Sequence, residues 1–244
     1  MNLLKSWWIA GTLVCGVSLL VVHVTRVASY QTVQQKRARS IATVLYALKC
    51  HRDIFGEYPA AVQRDQLGHA LFSWRLGLRT FVQQPDRPIE QLDQSWYSSA
   101  NMGWLTDTYG QLYTFQAGDS DRPTCMTRLT AITGPGTIFG RFAHEVDSVP
   151  NDTILLVELA DSDIVWLEPR DIDIRDFSAT FQQCVNVKGF HVGFADGYVW
   201  YLDSRIPFRR LAPFLTVEGA QKHARETLLL PYRRDPAIRS GGWE

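Results

Sequence analysis

From Trp7 to Thr25 the chain is almost uninterruptedly apolar, nineteen residues broken only by Thr12, Ser18 and His23. At about 1.5 Å rise per residue a helix of this run nearly matches a hydrocarbon core of about 30 Å, so it predicts a membrane-spanning helix. A cleaved secretory signal is the competing reading, but such signals carry about 7–15 apolar residues ahead of an Ala-x-Ala-like site. Val27-Ala28-Ser29 imitates that site poorly. Trp7 and Trp8 stand where an interfacial aromatic anchor would, with Lys5 ahead of them, and a retained span is expected.

Beyond Gln31 the pattern turns amphipathic. Ile41, Val44, Leu45 and Leu48 fall at i, i+3, i+4 and i+7, which predicts that the helix continues outward as a stalk and ends near Phe55-Gly56, with Pro59 blocking its resumption. Leu67, Leu71, Trp74, Leu78 and Phe81 predict a second helix over 66–84. The period then changes. Short β-prone runs at Gln111–Ala117, Arg128–Thr133, Thr153–Glu158 and Ile164–Leu167, separated by Gly, Pro, Asp and Asn, predict antiparallel strands. Asp196-Gly197, between Phe190–Ala195 and Tyr198–Leu202, predicts a two-residue type I′ hairpin in which Phe194 faces Val199 and Val192 faces Tyr201. In that register Gly193 leaves room opposite Trp200. Leu211–Thr216 reads as a short helix and Glu226–Glu244 as a charged, loosely ordered tail. The organisation is thus a flank at 1–6, a span at 7–25, a stalk at 26–59, one α+β domain at 60–220 and a tail at 221–244.

Charge and cysteine content narrow the function classes. Acidic and basic residues balance at 25 each, so no global field gathers nucleic acid, and none is expected as a partner. Of four cysteines, Cys15 lies in the span, and Cys50, Cys125 and Cys184 allow one intramolecular pair at most. No Gly-x-Ser-x-Gly elbow surrounds Ser73, Ser95 or Ser148, and Gly134-Pro135-Gly136 lacks the Gly-Lys-Ser/Thr of a phosphate loop. The histidines, His191 on the hairpin and His144 beside Glu145 and Asp147 among them, are scattered without a His-Glu-x-x-His pair. Asp171, Asp173 and Asp176 are candidate calcium ligands, against the default of an acidic solvated loop; calcium takes about six to eight oxygens. No cofactor is expected.

Several ordered segments carry a family resemblance. Leu45 to Pro59, with His51-Arg52-Asp53, Gly56 and Tyr58-Pro59, is followed by Ser73-Trp74-Arg75, by Gln83-Gln84, and by Trp96 and Asn101. Thr130 to Phe139 then holds a Gly-Pro-Gly-Thr loop, Asn151-Asp152-Thr153-Ile154-Leu155-Leu156-Val157-Glu158 follows, and Val165-Trp166-Leu167-Glu168-Pro169-Arg170-Asp171 comes next. Phe194-Ala195-Asp196-Gly197 closes the series. Over about residues 40–220 this resembles the large pilin-like family of planctomycetes long filed as a domain of unknown function, itself similar to type IV prepilins and type II secretion pseudopilins. The family's terminal hallmark opens with a His where this chain has Asn186, and Leu3-Leu4-Lys5-Ser6 replaces a Gly-Phe-Thr-x-x-Glu cleavage motif.

The resemblance implies a pilin-like α+β fold, a long N-terminal helix on an antiparallel sheet. It also implies a non-enzymatic structural or interaction role at the cytoplasmic membrane, with the body outside the cytoplasm and self-association or other pilin-like subunits as partners. Lys5 before the span and Arg26, Lys36, Arg37 and Arg39 after it would by themselves favour the opposite orientation. The family is also catalogued as extracellular solute-binding proteins, which makes a solute-binding module the alternative, its pocket lined by some of the eight tryptophans. Hydrolase activity is the least favoured class.

Overall fold

The amphipathic stripe read from Ile41 to Leu48 is buried along one face of α1 (Asn2–Phe55), where Ile41, Val44, Leu45 and Leu48 are at most 2 % exposed. The computed structural model describes residues 2–82, 92–106, 110–115, 125–140, 148–234 and 238–239, with side chains within 29–234. The chain divides into Met1–Arg37, helical from Asn2 on, and a body, Ala38–Glu244. The expected span at 7–25 lies outside the residues whose side chains are described. Among the described residues no helix is long and apolar enough to cross a membrane. The helix stops as its sequence predicts: Gly56 turns left-handed at φ 78° and its N–H donates to the Arg52 carbonyl.

A small hairpin follows, β1 (Val62–Arg64) antiparallel to β2 (Ala70–Ser73), then two short helical turns, α2 (Trp74–Gly77) and α3 (Arg79–Val82). This replaces the single helix expected over 66–84. The Asp65 carboxylate accepts the N–H groups of Leu67 and His69 and so closes a turn that reverses the chain, and Leu67 is 83 % exposed. The strand expected over Gln111–Ala117 is instead α4 (Gln111–Thr114), ended by Phe115 at φ 53°, with residues 116–117 outside the description. Ile164–Leu167 makes one isolated bridge, Met126 to Val165, and then turns, the Glu168 N–H reaching back to the Val165 carbonyl.

Among the described residues the main sheet has six strands: β3 (Leu129–Thr133), β4 (Ile154–Glu158), β5 (Ile172–Asp173), β6 (Phe190–Phe194), β7 (Tyr198–Leu202) and β8 (Ile238–Arg239), in the order β5-β3-β4-β6-β7-β8. Every described pairing is antiparallel except β3 with β5, so the sheet is mixed. One face meets the buried stripe of α1. There Gly193 has no side chain where a Cβ would stand 3.0 Å from Leu45 Cδ1 and 3.2 Å from Ile41 Cγ2, and this lets helix and sheet approach. The other face is covered by α5 (Ile174–Cys184), α6 (Phe208–Leu211) and the 3₁₀ turn Ala212–Leu215. Because both faces are covered, β4 and β6 are buried at every position and show no polar alternation. The sequence reading missed α5. Its signals are Phe177 and Phe181 at i, i+4 and an N-terminal cap from the Asp173 side chain to the Arg175 N–H.

The Asp-Gly hairpin is present, but with a different turn and register. Gly197 N–H donates to the Phe194 carbonyl, so Ala195 and Asp196 are the central residues of a turn and Gly197, at φ 85°, forms the left-handed bulge after it. Of the two residues a type I′ turn would put at positive φ, only Gly197 is there. Val192 therefore pairs with Trp200 and Gly193 with Val199, one place away from the expected register. Gly197→Val should cost more than about 1 kcal/mol, because a β-branched residue is strained at positive φ. Urea unfolding followed by tryptophan fluorescence measures it, and an unchanged midpoint would count against the bulge.

The expected loose tail is ordered in its described part. After α7 (Val217–Lys222), α8 (Arg225–Leu228) and a 3₁₀ turn at Leu230–Tyr232, Arg233 bridges to Leu202 and Arg234 N–H donates to the Tyr201 carbonyl. The Arg234 guanidinium also bonds the Asp203 carboxylate, which Arg205 holds from the other side.

Candidate functional site

Ser73, Trp74, Arg75 and Asp171 meet at one place. Ser73 ends β2 and caps α2, its Oγ accepting the Arg75 N–H, and this cap aims both following side chains inward. The Arg75 guanidinium donates to the Leu129 carbonyl from Nε and Nη2, to Ser73 Oγ at 2.7 Å from Nη1, and to Asp171 Oδ1 at 2.6 Å. It stacks over the Trp74 ring at 4.9 Å. Asp171 Oδ1 also accepts the Thr130 hydroxyl and the Ala131 N–H, and Oδ2 accepts the Trp74 indole N–H.

The Arg75 and Asp171 side chains are 0 % and 2 % exposed. Desolvation pushes the Asp171 carboxyl above the ordinary carboxylate range, opposed by the Arg75 cation and by the three neutral donors. Four donors on two oxygens make this carboxylate a cross-link between α2, β3 and the segment entering β5. Thr130, which the sequence reading did not single out, completes it. Its signal was its place at the start of the Thr130–Phe139 motif.

Beside this lock lies a cleft of about 610 Å³, lined by Val62 and Arg64 of β1, by Gly134 and Phe139 after β3, and by Pro169 and Asp171 before β5. Its volume falls in the range of about 300–1,000 Å³ usual for ligand sites. Asp173, also on its wall, has its carboxyl pulled down to about 2 by hydrogen bonds from the Arg175 side chain and backbone. A carboxylate depressed in the fold stabilises it above the unfolded value of about 3.9 and loses that contribution as pH falls through the folded value. Stability should therefore decline from about pH 4 towards 2, and Asp173→Asn should flatten the decline while lowering stability at pH 5. Urea midpoints at pH 5, 3.5 and 2 measure both, and an unaltered slope in the variant would contradict the assignment.

The remaining motif residues gather elsewhere. Ala195 N–H donates to the Thr153 carbonyl and Asp196 N–H to that of Asn151, so the hairpin turn is tied to the start of β4. Asp196 Oδ1 accepts the Tyr198 N–H, and its Oδ2 takes Arg225 Nη2 at 2.5 Å. Asp152 takes the Arg225 N–H and Nε. The Arg225 guanidinium lies over Phe194, Trp200 and Tyr198 at 4.6, 5.2 and 5.4 Å, so the hallmark turn works as the dock for α8. Arg225 was missed because nothing local distinguishes it from other arginines of the tail.

Glu158 and His191, on adjacent strands and 3 % and 2 % exposed, bond through Oε2 and Nδ1 at 2.5 Å, and the same oxygen accepts the His191 N–H. Trp166 is fully buried and stacked on Tyr113. At the end of α1, His51 Nδ1 donates to the Glu57 carbonyl, near Gly56 and the buried Pro59. Asn101 is buried and holds the carbonyls of Gln94 and Ser95.

The calcium candidates do not form a converging loop. Asp171 is spent on Arg75, Asp173 caps α5 and pairs with Arg175, and Asp176 is an exposed residue in the first turn of that helix. Among the described residues no three or more His, Cys, Asp or Glu side chains gather as a metal-holding group. Cys50, Cys125 and Cys184 are free thiols. Gln83-Gln84 and the cluster of His144, Glu145 and Asp147 lie outside the described residues. Comparison of the chain with family models, with curated proteins and with solved structures gave no match.

Proposed function

We propose that this chain is a non-enzymatic, membrane-anchored protein of pilin-like or pseudopilin-like type, whose body stands outside the cytoplasm and serves assembly or interaction. One observation carries the reading: the residues of the family resemblance are consumed in joining elements of the body. Arg75 and Asp171 cross-link three segments, and Asp196 docks α8 through Arg225. The tryptophans point the same way. Trp74, Trp104, Trp166 and Trp200 are all buried in the core, and Phe139 is the aromatic residue on the described wall of the cleft. A solute-binding module would hold such rings around a pocket.

The test is fractionation of native membranes with protease added from the outer side, followed by cross-linking and N-terminal sequencing. The expected result is a carbonate-resistant protein whose body is digested from outside and whose cross-linked forms contain more than one pilin-like chain. Recovery as a soluble monomer with a mature start near Tyr30 would overturn the anchor and favour the solute-binding alternative. Digestion only after the cytoplasm is opened would overturn the orientation.

A further inference from the structure

The cleft beside the Arg75–Asp171 lock has two features that the motif residues do not explain. The first is a strand edge that is open among the described residues. The Ala61 carbonyl accepts from Trp74 and the Asp65 N–H donates to His69, so both point towards β2. Within one trans peptide plane the C=O and N–H are opposed. The Val62 N–H and the Arg64 carbonyl therefore point away from β2, and both residues line the cleft. A donor and an acceptor two residues apart on one strand edge are what an added strand pairs with.

The second is a cation. The other charges on the wall are neutralised within the chain: Asp171 by Arg75, Asp173 by Arg175, and Arg170 by Glu168 and Asp163. Arg64 is exposed and donates from Nη1 to the Gly68 carbonyl, and among the described residues it has no carboxylate partner.

We propose that this cleft binds an extended polypeptide segment of a partner protein, which adds a strand to β1 and places a carboxylate against Arg64. Main-chain hydrogen bonds supply the affinity in such a mode, and the charged contact supplies selectivity and register. A compact solute fits these features less well, because the side-chain polar groups of the wall are already engaged and the groups that have no partner among the described residues are those of a strand. The proposal deepens the interaction reading above by naming the chemistry of a partner, and it rests on that reading only in taking the protein to be a binder.

The test uses the full chain in detergent and a set of blocked hexapeptides alternating Val and Thr, with one Glu moved through the positions, beside the same set carrying Gln. At least one Glu peptide should bind by calorimetry, with its Gln counterpart about tenfold weaker, as the loss of a charge-assisted hydrogen bond implies. On Arg64→Gln protein the two should bind alike. Val62→Pro, which removes an outward N–H from an edge strand without touching the β2 pairing, should abolish binding. N-methylation of the peptide's strand-facing amides should abolish it on the unaltered protein, which keeps the test valid if the proline variant misfolds. Hydrogen exchange at the Val62 amide should slow on adding the Glu peptide.

Absence of binding at millimolar peptide, equal binding of the N-methylated form, or a Val62 amide already protected without peptide would each overturn the proposal. The last would mean that this chain already pairs the edge. None of these outcomes bears on the membrane anchor or the orientation, which the fractionation test decides separately.

Discussion

Replacing Asp171 with alanine should lower the unfolding free energy by about 3–5 kcal/mol, the cost of leaving one partner of a buried ion pair uncompensated. The Arg75 side chain is 0 % exposed, so its guanidinium cannot recover hydration where it stands. The Thr130 hydroxyl, the Ala131 N–H and the Trp74 indole lose their acceptor at the same time. Those losses are not additive with the first, because all four donors share one carboxylate. Asp171→Asn keeps the volume and one acceptor oxygen and should cost less. Replacing both partners, Arg75→Met with Asp171→Leu, should cost far less than the sum of the single changes, since a buried pair is often no more stabilising than apolar side chains of similar volume. Urea unfolding of Arg75→Met, of Asp171→Leu and of the double variant measures the cycle, with Asp171→Ala and Asp171→Asn read beside them. A single-variant cost below about 1 kcal/mol would mean that the lock contributes no more than an exposed pair.

Trp166→Ala should cost a similar amount, about 3–5 kcal/mol, by a different mechanism, cavity formation. Trp166 is 0 % exposed, lies parallel to Tyr113 with ring centroids 6.1 Å apart, and has Gly110 so close that a Cβ there would come within 2.7 Å of its Nε1. Its backbone N–H donates to the Cys125 carbonyl, so the ring is held in place as well as surrounded. A smaller side chain leaves a space that the rigid neighbours cannot close. Trp166→Phe keeps the stacked ring and should cost less. This pair of variants also bears on function. In a solute-binding module built on tryptophans, Trp166→Ala would abolish ligand uptake at unchanged stability, whereas a core residue shows the reverse. The thermal midpoint, read beside any ligand-induced shift, distinguishes the two.

Some residues declared their structure locally. The stripe from Ile41 to Leu48, the stop at Gly56, and the β-prone runs that became β3 and β4 all appear where the pattern puts them. In each, a single segment's periodicity or backbone preference is enough, and burial only reinforces it. The segment over 66–84 failed for the complementary reason. Its apolar spacing fits a helix, but the Asp65 side chain satisfies two N–H groups in a turn, and the chain gains more by pairing β1 with β2 than by burying Leu67. The hairpin lies between these cases. The Asp-Gly signal located it, yet the Asp196 carboxylate is recruited to the Tyr198 N–H and to Arg225, and the turn takes three residues where local preference favours two.

The candidate site divides along the same line. By itself the sequence determined the long N-terminal helix with its apolar and amphipathic halves, the α+β character of the body and the position of the hairpin, since each follows from side-chain period and turn chemistry within a few residues. Only the tertiary structure decided which carboxylate meets which arginine, because a buried charge needs a partner whose distance along the chain is unconstrained. Arg75 and Asp171 are ninety-six residues apart, and Asp196 and Arg225 twenty-nine. Tertiary structure also decided that Arg64 stands beside a strand edge that is open among the described residues, since an edge exists only where pairing on one side ends. Composition and spacing carry no record of that.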